Sequence, residues 1–103
     1  MRGMFAVYIT CKDKKEARKI AKLLLEKKLI VCANLFPIES HFWWHGKLEE
    51  AAEYAILAKT KDSLLDAIKE LVHHAHSYEV PVITAWKELS NSAAEKWLES
   101  ELR

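Results

Sequence analysis

The chain has 103 residues, half of them hydrophobic and 30% charged, with a formal net charge of +1. That balance, with no basic stripe or acidic tail, excludes nucleic-acid or membrane binding by bulk charge. The length implies one domain over residues 1–103, and the longest apolar runs are too short to span a bilayer. Two cysteines, Cys11 and Cys32, lack Cys-x-x-Cys spacing and form neither a disulfide framework nor a zinc ribbon. No leader pattern opens the chain, so the expected location is the reducing cytoplasm.

Met4 to Thr10 is a nearly unbroken apolar run, which predicts a strand buried on both faces. Asp13 stands three residues before Glu16, as in a capping box, and Ala17, Ile20, Ala21 and Leu24 follow at helical spacing. The opposite face is basic, and the helix should end near Lys28. Leu29 to Phe36 and Ser40 to His45 read as strand, interrupted at Pro37. Gly46-Lys47 reads as a turn and Glu53 to Thr60 as the returning strand. The middle of the chain is thus one long hairpin with Glu49, Glu50 and Glu53 at its tip. Ser63 and Asp66 bracket a second helix start, and Leu64, Leu65, Ile68, Leu71, Val72 and Ala75 form its apolar stripe. His73, His74 and His76 close it, where cations are favoured. Val80 to Trp86 reads as a last strand entered through Pro81. Ser92 and Glu95 form a second capping box ahead of a short terminal helix.

The order strand, helix, strand, strand, helix, strand predicts an α+β, ferredoxin-like fold: a four-stranded antiparallel sheet, a long hairpin, helices on one face and an extra C-terminal helix. The other sheet face is left bare. On a strand, Phe42 and Trp44 point to one side and Trp43 to the other, so both faces carry a large aromatic. One core cannot cover both, which implies an assembly of subunits with sites shared between them.

Several strings go further. Leu29-Ile30-Val31-Cys32-Ala33-Asn34, then Ser40 through Glu49, then Glu53, Lys59-Thr60 and His76-Ser77-Tyr78-Glu79-Val80-Pro81 occur in one order across nearly the whole chain. Together they resemble the CutA divalent-cation tolerance family. The resemblance implies a cytoplasmic homotrimer, similar in architecture to PII signalling proteins, associated with tolerance of copper and other divalent cations and with no established enzymatic activity. The departures are also informative. The family's His-Pro-Tyr is His76-Ser77-Tyr78 here, and Val82 replaces an acidic residue. A first-strand cysteine proposed as a copper ligand in some members falls at Ile9, with Cys11 two positions on.

The resemblance directs attention to an inter-subunit cleft containing Cys32, Trp44, Lys59, His76 and Tyr78. Cys32 is either a soft ligand there or a small core residue. Lys59 either snorkels outward or meets an anion or an acidic partner such as Glu53. Tyr78 and Trp44 are either cleft residues or packed aromatics. For a divalent cation, copper above all, imidazole plus carboxylate suits Cu(II) or Zn(II), with His76 and Glu79 as the pair. His73 and His76 share a helix face and either pinch a metal or stay solvated. His41 and His45 lie about 13 Å apart along a strand and cannot chelate one ion within a subunit. No catalytic signature or glycine-rich phosphate loop appears. The alternative function is a PII-like signalling module that binds a small anion or a partner protein through Lys59 and the Glu49–Glu53 tip.

Overall fold

In the computed structural model, which describes residues 3–103, the order is β1 (Met4–Cys11), α1 (Lys14–Glu26), β2 (Cys32–Trp44), β3 (Lys47–Thr60), α2 (Leu65–Ala75), β4 (Ile83–Glu88) and α3 (Ser92–Glu101). The strands form one antiparallel sheet in the order β2-β3-β1-β4, the ferredoxin-like arrangement. Residue register separates the two faces. Val7, Ile9 and Cys11 on β1 pair with Ala58, Ile56 and Tyr54 on β3, and these side chains face the helices. Ala17, Ile20, Ala21 and Leu24 of α1 and Ile68 and Val72 of α2 cover them, and Leu98 and Leu102 add a contribution from the C-terminal segment.

Local chemistry explains the element ends. Asp13 caps α1, its Oδ1 accepting the Glu16 N–H at 2.8 Å. Glu16 reaches back to the Lys12 N–H at 3.1 Å, one residue outside the usual reciprocal partner. At the far end Lys28 adopts a φ of 56°, and the N–H groups of Lys28 and Leu29 donate to the Leu25 and Leu24 carbonyls. This is a Schellman motif with lysine where glycine is usual. The second helix begins differently from expectation. A 3₁₀ turn at Asp62–Leu64 leads into α2, and no side chain caps it, so Ser63 and Asp66 do not play that role. Likewise Asn91, not Ser92, occupies the α3 cap position.

The hairpin is longer and more regular than its sequence suggests. β2 runs through Pro37 without interruption because it is an edge strand of the sheet, where a missing N–H costs no ladder bond. The turn is His45-Gly46, one residue earlier than expected, with φ of 51° and 76°. Two successive positive φ values match a type I′ hairpin. The hairpin extends well past the helices and stretches the chain to 44 Å along its longest axis. Trp43 lies on the helix-side face there, yet it is 72% exposed because no helix reaches it.

β4 starts at Ile83, later than Val80, and residues 80–82 carry no regular structure. The segment between α2 and β4 therefore crosses the end of β1, and this crossing builds the site.

Candidate functional site

Three elements meet where β1 ends. Cys11 is the last residue of β1 and is fully buried. Glu16 sits in the first turn of α1, only 7% exposed. His76 caps the C-terminus of α2 in an extended conformation, which turns its imidazole inward to complete burial. The sulfur, imidazole nitrogen and carboxylate oxygen of Cys11, His76 and Glu16 lie within 4.8 Å of one another.

Hydrogen bonds set the chemical state of each group. His76 Nε2 is 2.8 Å from the Thr10 carbonyl oxygen, which can only accept, so Nε2 carries the proton. The Nδ1 lone pair accepts the Tyr78 N–H at 3.1 Å and lies 3.8 Å from Glu16 Oε1. Glu16 Oε2 accepts the Ser77 N–H at 2.9 Å. Burial alone would push Glu16 up, but hydrogen bonds from Ser77 and Lys12 outweigh it and hold the carboxyl below its ordinary value. Burial first, then the charges of Glu16, Glu53 and Asp13, push the Cys11 thiol up to about 12. Cys11 is accordingly a protonated, unreactive thiol at neutral pH.

Tyr78 links this cluster to the open face of the sheet. Its hydroxyl donates to Glu53 Oε2, and Glu53 is 7% exposed. Burial and the Glu53 carboxylate both raise the Tyr78 phenol well above its ordinary value. The hydroxyl therefore stays protonated and serves as a donor. Glu53 pairs with Ile38 in mid-hairpin, so it is neither at the tip nor beside Lys59.

Lys59 sits elsewhere on the same face. It pairs with Cys32 across β2 and β3, and its ammonium forms an ion pair with Glu88 of β4, reaching over β1. Burial raises the Cys32 thiol, and the Lys59 charge partly offsets that. Glu88, not Glu53, is thus the acidic partner of Lys59.

Comparison with known proteins bears on this geometry. The family described as CutA1 divalent ion tolerance protein matches residues 5–101. The chain belongs to the CutA1 family. The divalent-cation tolerance protein CutA of Archaeoglobus fulgidus is 48% identical over 79 residues, covering 77% of this chain and 78% of that one. Its counterpart in Thermococcus kodakarensis is 46% identical over 77 residues, covering 75% and 74%. A solved structure described as the periplasmic divalent cation tolerance protein CutA from Archaeoglobus fulgidus superposes with a TM-score of 0.94 at 40% identity, over 97% of this chain and 99% of that one.

Within the single chain the five expected cleft residues do not meet. His76 and Tyr78 are joined at the end of β1, and Cys32 and Lys59 are register partners. Glu53, which Tyr78 holds, and Lys59 are six β3 residues apart, about 20 Å of strand. Trp44 pairs with Lys47, another six residues in the other direction, so Trp44 and Lys59 are separated by about 40 Å along β3. Nor does the His76–Glu79 pair form: the imidazole faces Glu16, while Glu79 is exposed with no hydrogen bond or ion pair among the described residues. His73 is also exposed and contacts His74, because the helix ends before His76 can share its face. The residues that do gather with His76 are Cys11 and Glu16, which the sequence marks only as an isolated cysteine and as part of a capping box. Only the two-position offset of Cys11 from Ile9, on the same strand face, hinted at its inward direction.

Proposed function

We propose that this CutA1 chain works as a homotrimeric, non-enzymatic, divalent-cation-responsive binding module whose cleft is shared between subunits, with copper as the leading cation. One observation carries the reading. The open sheet face presents Phe36, Phe42, Trp44 and Trp86 to solvent in the isolated chain, around the buried acid Glu53 and the Lys59–Glu88 pair. A face so apolar asks for cover by protein, and the spread of Trp44, Lys59 and Cys32 over about 40 Å of strand means that one cleft holding them draws on more than one chain. The relatives' names speak of divalent-cation tolerance and of no reaction.

Within this reading His76 is the cation-facing residue, and Tyr78 connects it to the cleft. A cytoplasmic location is supported by two cysteines that remain unpaired. No helix among the described residues is long and apolar enough to cross a membrane. Calorimetric titration of the purified assembly with Cu(II) tests the function. Saturable binding that His76→Ala weakens is expected, and the absence of saturable binding would overturn the metal reading.

A further inference from the structure

We propose that Cys11, Glu16 and His76 form a cation site inside each subunit, selective for borderline divalent ions such as Zn²⁺, Co²⁺ or Cu²⁺, whose occupancy is sensed by Tyr78. The proposal rests on the divalent-cation reading above and supplies a ligand set for it.

Geometry is the first support. One sulfur, one nitrogen and one oxygen donor from three separate elements converge within 4.8 Å, all buried. Ligand atoms around a tetrahedral ion with bonds of about 2.0–2.3 Å stand about 3.5 Å apart, so closure by about 1 Å completes the site. The second support is the tautomer of His76. Its Nε2–H is held by the Thr10 carbonyl at 2.8 Å, which leaves the Nδ1 lone pair on the side of Glu16. Metal-binding histidines are oriented by this kind of outer hydrogen bond, which also raises the basicity of the ligating nitrogen. Charge is the third. Glu16 and Glu53 are buried, and among the described residues neither is paired with a lysine or arginine. The negative charge of Glu16 beside the sulfur, with Glu53 nearby, makes the spot favourable for a divalent ion.

The mixed donor set decides the class of ion. Magnesium and calcium prefer all-oxygen shells, whereas one thiolate and one imidazole favour borderline transition ions. Binding replaces the Cys11 S–H with an S–metal bond, and the proton leaves to solvent. Three protein ligands leave a fourth position for water.

Occupancy also has a structural consequence. The Nδ1 lone pair now accepts the Tyr78 N–H at 3.1 Å, and it cannot serve both that donor and a metal. Cation binding therefore releases the Tyr78 backbone, while the Tyr78 hydroxyl holds Glu53 on the open face. The event in the core is passed to the cleft through one residue.

Titration of the full-length protein with Co²⁺, followed by absorption, tests this. The expected result is an intense near-ultraviolet thiolate-to-cobalt band saturating at one ion per chain. It is retained in Cys32→Ser and lost in Cys11→Ser, with Co²⁺ affinity reduced at least about tenfold, the lower bound for losing even an outer-shell partner. The Tyr78 amide resonance should also move on Zn²⁺ addition. Saturable Co²⁺ binding with no thiolate band, or a band that vanishes in Cys32→Ser, would overturn the site while leaving the cation-binding reading intact. An unmoved Tyr78 amide in the Zn²⁺-loaded protein would overturn the sensing role. If neither Co²⁺ nor Cu²⁺ binds saturably, both readings fall together. Because Cys32→Ser alone assigns the band, the test survives a Cys11 variant that does not fold.

Discussion

Thr60 shows how much a single buried polar atom can carry. It is fully buried at the end of β3, and its Oγ1 donates to the Leu29 carbonyl at 2.6 Å, tying the loop after α1 to the sheet. Thr60→Val preserves the branched shape and removes the donor, so the Leu29 carbonyl loses this partner inside the core. The expected cost is about 1–2 kcal/mol, seen as a lower denaturant midpoint at unchanged slope. An unaltered midpoint would show that the hydrogen bond contributes nothing net. The sequence marks Thr60 only as half of a Lys-Thr string. Its role depends on Leu29, 31 residues away, and no local pattern records such a pairing. Glu16 makes the same point differently. The capping box was readable, but the bond from its second oxygen to the Ser77 N–H, which brings the His76 segment into place, was not.

At the scale of elements, two of the residues in left-handed backbone, Lys28 and Gly46, make a contrasting pair. Lys28 closes α1 at φ 56° although a side chain there is strained, and Gly46 completes the hairpin turn at φ 76° with open space around it. Lys28→Gly should stabilise the protein by roughly 1 kcal/mol and Gly46→Ala should destabilise it by a similar amount. Thermal melts of the two variants check the pair, and shifts of the same sign would contradict the conformational argument. Periodicity made α1, α2 and the strands legible because each buries a regular stripe. The ends were less legible for physical reasons. His45 takes the first turn position where Asn or Asp would announce it, and the α2 start relies on a backbone 3₁₀ turn, not a capping side chain.

At the scale of the whole molecule, topology followed from element order, because few connections satisfy the handedness rule. The proposed cleft did not, because its residues are dispersed along a hairpin that reaches beyond the chain's own helices. The same dispersion yields the prediction that matters most for this protein. Trp43 is 72% exposed and Leu48 is 65% exposed on the protruding hairpin, and Trp86 stands opposite Ala6 on the uncovered sheet face. A lone subunit would leave this surface wet at about 25 cal/mol per Å² of apolar area. Light scattering should therefore give about three times the chain mass of 11.9 kDa. Trp86→Glu places a charge where a neighbouring chain would cover it, so it should lower the measured mass or make it concentration-dependent. A wild-type protein that stays monomeric at high concentration would refute both the shared cleft and the argument from its aromatic face.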